Sequence, residues 1–233
     1  ALDVAMTTAR GNPRPRTPHD AWAELVAGNN RFVDGASDHP HQSIQLREEL
    51  ATGQTPFATV FGCSDSRVAA EIIFDQGLGD VFVVRTAGTV IDPGVLGSLE
   101  FGVEVLGTPL IVVLSHTSCG AIRATLEAVA TRQLPGGFLR DVVERIAPSY
   151  LLAGTAEPTP GEVGRAHLRH VVSLLVERSR AIRYAVERGD LAIVGAEYGL
   201  AGGAVEIVTV IGDVGAPAGP PGEGVSTPGN GPT

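Results

Sequence analysis

Short apolar runs recur along the chain and are separated by segments with helical periodicity. Four of the runs are apolar without alternating with polar residues, which is typical of central strands covered on both faces. They occupy residues 57–61, 81–84, 110–114 and 191–194. A fifth run, at 204–210, predicts a shorter edge strand.

Helices are predicted between these strands. Thr17 can cap a first helix, Pro18 suits its first position, and the pattern continues to residue 32. Residues 43–51 predict a second, short helix. Apolar positions at helical spacing predict further helices over 95–106, 120–130 and 168–186.

Strands that alternate with helices predict βαβ units and a mostly parallel sheet. We therefore expect an α/β fold with about four parallel strands and one edge strand, flanked by helices and preceded by an N-terminal helical arm. Residues 17–212 predict a single domain that follows a flexible segment, 1–16. Residues 213–233 are dominated by Gly and Pro and predict a disordered tail.

The amino-acid composition excludes several classes of function. The 233 residues are 43% hydrophobic and 18% charged, which suits a globular domain, and the net charge of −9 provides no basic surface for a nucleic acid. All 17 basic residues are arginine, which excludes lysine Schiff-base chemistry. No apolar run is long enough to span a membrane and the first residues lack a secretory apolar core, so we expect a soluble, cytoplasmic protein without a membrane partner.

Two cysteines and one histidine follow predicted parallel strands. Cys63 comes after the first strand, and His116 and Cys119 come after the third. The carboxyl edge of a parallel sheet is where ligand sites form. Two thiolates and one imidazole suit Zn²⁺, and three protein ligands leave a fourth position for water or substrate.

Other interpretations of the three residues remain open on spacing alone. They would also suit buried core positions, a disulfide or a redox pair, although disulfides are disfavoured in the cytoplasm. Asp65 and Arg67 lie beside Cys63 and favour a metal site, because Asp65 can either take the fourth zinc position or pair with the Arg67 guanidinium. An Asp–Arg pair is also a common surface feature of little energetic weight.

The sequence resembles the β-class carbonic anhydrases. Their first signature matches residues 63–70, Cys-Ser-Asp-Ser-Arg-Val-Ala-Ala, throughout. Their second is a helix beginning Glu-Tyr/Phe, an apolar strand and Gly-His-x-x-Cys-Gly; Glu100, Phe101 and residues 116–120 follow that order. Two positions depart from it: Ser115 stands where Gly is usual and Gly102 where Ala is usual. The resemblance extends over residues 18–210.

The resemblance implies a zinc-dependent lyase with one Zn²⁺ per subunit, which hydrates carbon dioxide reversibly to bicarbonate and a proton through a zinc-bound hydroxide. Cys63, His116 and Cys119 would be the ligands. Asp65 would orient the hydroxide, and Arg67 would hold the Asp65 carboxylate away from the metal. Asp65 as a fourth ligand would close the site, and this predicts a pH-dependent switch.

The resemblance also implies a substrate pocket. Gln54 matches a glutamine whose amide orients the substrate. The other implied pocket residues are Val68, Phe82, Ala87, Phe101 and Gly120. Arg85 and Tyr198 match two residues of an inhibitory bicarbonate site found in some bacterial members, but Val60 replaces the tryptophan of that site.

The family is built from dimers, often paired into tetramers, with each site at the dimer interface. We therefore expect a homodimer or homotetramer, with the N-terminal helix as an arm across the interface.

Candidate proton shuttles are His19, His39, His41, His167 and His170. The alternatives are a relative acting on carbon disulfide or carbonyl sulfide, a structural zinc protein closed by Asp65, and a redox protein using both cysteines.

Overall fold

The computed structural model describes residues 14–215, which form a five-stranded sheet flanked by helices. The strands are β1 (Ala58–Cys63), β2 (Val81–Thr86), β3 (Leu110–His116), β4 (Ala192–Tyr198) and β5 (Val205–Ile211). Their order is β2-β1-β3-β4-β5. The first four strands are parallel and β5 is antiparallel to β4, which confirms the predicted fold class.

Each parallel strand extends beyond its predicted carboxyl end. The predicted segments stop at the last apolar residue, whereas the strands continue to Cys63, Thr86, His116 and Tyr198. These terminal residues are polar or bear functional groups, so an apolar run does not reveal them. The strand ends missed by the pattern are therefore the ones that line the carboxyl edge.

Nine α-helices occur among the described residues: α1 (Pro18–Val33), α2 (Ile44–Glu49), α3 (Ala70–Ile73), α4 (Pro93–Glu100), α5 (Gly120–Thr131), α6 (Leu139–Ile146), α7 (Pro148–Leu152), α8 (Pro160–Arg178) and α9 (Arg180–Glu187). The helix predicted over 95–106 is divided between α4 and a π-helical turn, Phe101–Val105. The one predicted over 168–186 is broken at Ser179, whose hydroxyl caps α9 by accepting from the Ile182 N–H. Helices α3, α6 and α7 had no sequence prediction.

Helices cover both faces of the sheet, as the continuous apolar strands require. Trp22 and Leu25 of α1, together with Ile73 of α3, pack on one face. Helices α4, α8 and α9 cover the other face, where Leu168 and Ile182 are fully buried. The predicted helical arm is thus docked on the sheet of its own chain, and its role across an interface stays a prediction.

The order of the strands creates a crevice between β1 and β3. From β1 the chain passes to β2 on one side of it, and later to β3 on the other. In open parallel sheets, ligands bind at the carboxyl ends of the two strands where the winding direction reverses. This topology predicts a ligand site where β1 and β3 end.

The predicted terminal segments lie mostly beyond the described residues, since 1–13 and 216–233 fall outside them. Within 14–215, no helix combines the length and apolar character needed to cross a membrane. The domain boundaries and the cytoplasmic location stay predictions.

Candidate metal centre

Three side chains that could hold a metal ion meet in the crevice between β1 and β3. Cys63 is the last residue of β1, His116 is the last residue of β3, and Cys119 directly precedes α5. Ser118 has a left-handed backbone with φ of 57°, which reverses the chain between His116 and Cys119. The two sulfurs and an imidazole nitrogen lie within 4.8 Å of one another. The structure therefore brings together the three residues singled out in the sequence.

The His116 ring is oriented with one nitrogen free. Its Nδ1 lies 2.9 Å from the carbonyl oxygen of Thr117, so Nδ1 carries the proton and donates to that carbonyl. Nε2 consequently has a lone pair directed at the two thiols. Among the side chains of residues 14–215, it is the buried polar atom with no hydrogen-bond partner. Such an orphaned acceptor beside two sulfurs fits a zinc ligand whose other nitrogen is fixed by the protein.

The two cysteine thiols have pKa values that are shifted in opposite directions. Hydrogen bonding from Cys119 lowers the pKa of Cys63 to about 4 against the effect of burial, and the backbone of Asp65 and Gly88 contributes to the same shift. The same contact, together with burial, raises the pKa of Cys119. Both cysteines are free, without a disulfide. A site that already favours one thiolate and has a second thiol beside it suits a divalent cation that accepts sulfur ligands.

Asp65 is held by Arg67 at the mouth of this cluster. Arg67 donates from Nε to Oδ1 at 2.9 Å and from Nη2 to Oδ2 at 2.8 Å, a bidentate pair. Hydrogen bonding from Arg67 holds the pKa of Asp65 well below its usual range, so the carboxyl is ionised. Its Oδ2 nevertheless lies only 3.9 Å from Nε2 of His116. Asp65 is thus paired with Arg67 and adjacent to the cluster of two cysteines and one histidine.

Arg85 supports the loop that carries these groups. It is on β2 and donates from Nε to the Cys63 carbonyl at 3.0 Å and from Nη2 to the Asp65 carbonyl at 2.6 Å. Val60 and Tyr198 point to the same sheet face as Arg85 but are buried in the core. The buried Val60 therefore occupies the position that is tryptophan in those family members. The Arg85 guanidinium donates its hydrogen bonds to backbone carbonyls.

Three of the six implied pocket residues lie at the carboxyl edge with the cluster. Val68 is buried and donates its backbone N–H to the Asp65 carbonyl at 3.0 Å. Ala87 directly follows β2, whose last residue pairs with Cys63. Gly120 is the first residue of α5.

The other three lie towards the opposite edge of the sheet. Gln54 is in the exposed loop before β1. Phe82 is near the start of β2, paired with Thr59, and its ring centroid is 6.0 Å from that of Phe101. Because strands rise about 3.3 Å per residue, the four residues from Thr59 to Cys63 span roughly 13 Å. One chain therefore does not assemble the whole implied pocket.

Both departures from the family signatures are accommodated locally. The Ser115 hydroxyl donates to the carbonyl of Ala196 on β4 at 3.3 Å, and the register of β3 continues to His116. At Gly102, an added Cβ would lie 2.5 Å from the hydroxyl oxygen of Thr59. That hydroxyl is hydrogen-bonded to Thr108 at 2.9 Å, so Gly102 provides the space for a buried threonine pair.

The candidate proton shuttles differ in environment. His41 pairs with Asp80, with 2.7 Å between Nδ1 and Oδ2. The exposed His19 pairs with Asp20, and His39 has a left-handed backbone in the segment that precedes His41. His170, on α8, is half-buried.

His167 is different because it is buried and bonded at both ring nitrogens. One nitrogen contacts Ser149 and the other contacts Gly88, which follows β2 beside the cluster. Sequence reasoning did not connect these residues. They are 18 and 79 positions from His167, and no spacing rule links them.

Comparisons with known proteins find related sequences over most of this chain. A profile described as carbonic anhydrase matches residues 58–205. "Carbonic anhydrase 2" of Mycobacterium tuberculosis is 54% identical over 199 residues, covering 85% of this chain and 96% of that protein. A carbonic anhydrase of Mycolicibacterium smegmatis is 53% identical, covering 85% and 97% of the two chains.

Solved structures show the same fold. The structure of the β-carbonic anhydrase CcaA aligns with a TM-score of 0.64 at 25% identity, covering 80% of this chain and 94% of that one. One of two β-carbonic anhydrases from Sordaria macrospora, described as tetrameric, aligns at 0.63 and 22% identity, covering 81% and 96%.

The fold and cluster define a parallel-sheet protein with a candidate metal site at its topological switch point. The profile and the relatives identify it further: the chain belongs to the carbonic anhydrase family, in its β class. The prediction of a carbonic anhydrase enzyme is thereby confirmed.

Proposed function

We propose that this chain hydrates carbon dioxide reversibly at a Zn²⁺ held by Cys63, His116 and Cys119. The observation that carries the proposal is the unpartnered Nε2 of His116, buried within 4.8 Å of both sulfurs. A bound Zn²⁺ supplies a Lewis acid that brings the pKa of a water ligand down towards neutrality, and so a hydroxide nucleophile. The protein contributes one ligand atom from each residue and leaves a fourth position open.

Asp65 orients the nucleophile in this proposal. Its carboxylate is ionised and lies beside the ligand atoms, so it can accept the hydroxyl proton of the attacking group in a hydrogen bond. That bond directs the nucleophile's lone pair away from Asp65 and towards the substrate. Arg67 fixes the carboxylate through two hydrogen bonds, which prevents it from occupying the fourth ligand position.

The same pair provides a way to close the site. If Asp65 leaves Arg67 and rotates towards the sulfurs, its oxygen fills the fourth position and excludes the nucleophile. Asp65 is paired with Arg67 in the structure, which supports an open resting state, and Arg85 anchors the backbone on which Asp65 would turn.

The active unit we propose is a homodimer. Gln54, Phe82 and Phe101 cannot reach the cluster of their own chain across the sheet, yet Phe101 is 44% exposed and Val105 of the same turn is 65% exposed. Strand β2 pairs only with β1 in the described structure, so it is an edge that another chain can cover. A partner placed there would bring its own Gln54 and aromatic pair to complete the pocket for carbon dioxide.

Zinc content and carbon dioxide hydration, measured on the same preparations, test the proposal. We expect the native protein to hold zinc and to catalyse hydration in stopped-flow assays, and Cys63→Ala to lose both. Thr131→Ala, at the exposed end of α5, serves as a matched control and should keep both. Retention of zinc and activity by Cys63→Ala would overturn the ligand assignment. Zinc without hydration activity at any pH would favour a permanently closed structural site.

A further inference from the structure

A buried histidine joins three separate segments next to the metal cluster. His167 of α8 is 6% exposed, and its Nε2 lies 3.0 Å from the carbonyl oxygen of Gly88. Its Nδ1 lies 3.0 Å from the hydroxyl of Ser149, in α7. A carbonyl only accepts, so Nε2 carries the proton, and Nδ1 must accept from the Ser149 hydroxyl. The tautomer of His167 is therefore determined by its two partners.

The segment that His167 contacts has an uncommon backbone. Gly88 and Thr89 have φ values of 67° and 55°, both left-handed. For a β-branched residue such as Thr89 this conformation is a genuine outlier, costing on the order of 1–3 kcal/mol. Such a conformation persists only where the surroundings impose it. A hydrogen bond from a rigid 19-residue helix to the Gly88 carbonyl is one such constraint.

Packing leaves no room for a side chain at Gly88. A Cβ at this position would lie 2.7 Å from that of Ala121 and 2.8 Å from the side chain of Ile146. Ala121 is the second residue of α5, two positions after the ligand Cys119. Gly88 is thus confined between the start of the cysteine-bearing helix and α6, with His167 bonded to its carbonyl.

Gly88 also belongs to the short helical turn Ala87–Thr89, which packs against β1, the strand that ends at Cys63. Strand β2 ends at Thr86, which pairs with Cys63, so the Gly88 backbone begins two residues beyond that pair. Its backbone N–H is directed at the Cys63 thiol as a hydrogen-bond donor. A donor aimed at a ligand sulfur affects how strongly that sulfur binds a metal. The position of this amide depends on the residue whose carbonyl His167 holds.

A hydrolytic Ser–His pair is excluded as the role of these residues. The Ser149 hydroxyl is completely buried and His167 is nearly so, which leaves no approach for a substrate. In a catalytic triad the second ring nitrogen of the histidine is bonded to a carboxylate, whereas here it donates to a backbone carbonyl. The arrangement is suited to holding a backbone segment.

We propose that His167, oriented by Ser149, is a positioning residue that holds Gly88 against the Cys63 sulfur and thereby strengthens the metal site. This inference rests on the proposed zinc function. His167 touches neither the reacting atoms nor the ligands, so its influence is transmitted through the Gly88 backbone.

Four variants test this role. His167→Leu removes both hydrogen bonds, and His167→Gln keeps an N–H at the reach of Nε2. Ser149→Ala removes only the partner of Nδ1. His170→Gln is the matched control, because this half-buried histidine is on the same helix without a bond to Gly88. For each protein we would measure the rate of zinc release to a chelator, the sulfur-to-cobalt absorption band after cobalt substitution, and the melting temperature.

We expect His167→Leu to release zinc at least about tenfold faster and to shift the cobalt band, since partners behind metal ligands typically contribute about 10–100-fold in affinity. His167→Gln should restore most of both properties, Ser149→Ala should fall between them, and His170→Gln should match the native protein. If His167→Leu does not fold, Ser149→Ala still decides the matter.

A lower melting temperature with an unchanged cobalt band and zinc release would show a merely structural role and overturn the proposal. So would equal zinc release from His167→Gln and His167→Leu. Native protein that binds neither metal would instead refute the proposed function itself, which separates the two failures.

Discussion

At the scale of single residues, the candidate site depends on the identity of its side chains and on the backbone groups that orient them. The sequence predicted Cys63, His116 and Cys119 because their types and spacing suit one metal, and Asp65 because it is beside a ligand. It did not predict the fixed tautomer of His116, which depends on a backbone carbonyl. Nor did it predict the contact of His167 with Gly88, because those residues are 79 positions apart and each alone resembles ordinary core.

Arg67→Ala should reduce carbon dioxide hydration by about 100-fold while zinc content remains unchanged. Without the bidentate pair, the Asp65 carboxylate is free to take the fourth ligand position, because its Oδ2 already lies 3.9 Å from Nε2 of His116. Stopped-flow assays and metal analysis on one preparation check this. Arg140→Ala, which removes an exposed pair with Glu144, is the control and should be fully active. Native-like activity of Arg67→Ala would contradict a holding role for Arg67.

Stability below pH 6.5 should depend on His167. Burial lowers the pKa of His167 to about 4 from a usual 6.5, so it stays neutral in the folded protein while the unfolded chain takes up a proton. The contribution of neutral His167 to the free energy of unfolding is therefore fully present above pH 6.5. It is lost as the pH decreases from 6.5 to 4, by up to about 3 kcal/mol. Urea unfolding across this range should show a smaller loss for His167→Gln than for the native protein. Identical losses would contradict the neutral, buried state of His167.

At the scale of elements, the strands were the most predictable part of the structure. Continuous apolar runs locate the four parallel strands, whose two faces are covered by helices, and the fifth run locates the edge strand β5, which is only partly buried. Helices α6 and α7 were not predicted, since they are short and cover the outer side of α5 and α8. The π-helical turn at Phe101–Val105 was also missed, because its backbone hydrogen bonds replace those of a regular helix without changing the apolar spacing.

Gly102→Ala tests the packing of that turn against β1. The added methyl group would approach the Thr59 hydroxyl to 2.5 Å, so we expect a loss of about 1–3 kcal/mol in the free energy of unfolding. Removing the obstacle in the double variant Thr59→Ala/Gly102→Ala should recover part of that loss. Urea denaturation of the native protein, both single variants and the double variant measures the coupling. Additive effects of the two substitutions would show that the contact between these residues does not explain Gly102.

At the scale of the whole molecule, the implied pocket is divided between opposite edges of the sheet. Val68, Ala87 and Gly120 lie with the cluster, whereas Gln54 and the Phe82–Phe101 pair lie far from it. A signature read along one chain does not reveal this division, because it emerges only when the strands are placed side by side. The proposed dimer follows from the separation, and it makes each site a product of two chains.

Mixing two inactive variants tests the shared site. Cys63→Ala lacks a ligand, and Gln54→Ala should lose about 100-fold in activity by failing to orient the substrate. After the two proteins are unfolded and refolded together in equal amounts, about half of the dimers are mixed, and one of the two sites in each is intact. We expect about a quarter of native activity, against almost none for either variant refolded alone. No recovery from a mixture shown to contain mixed dimers would place Gln54 with the cluster of its own chain.

The zinc dependence of hydration in the native protein tests the central claim most directly. Zinc-free protein would be titrated with Zn²⁺ while carbon dioxide hydration is followed by stopped flow. We predict no activity without zinc, a linear increase, and saturation at one zinc per chain, with Cys63→Ala remaining inactive throughout. Hydration by the zinc-free protein, or saturation at a different number of zinc ions per chain, would contradict the assignment of Cys63, His116 and Cys119 as the catalytic metal site.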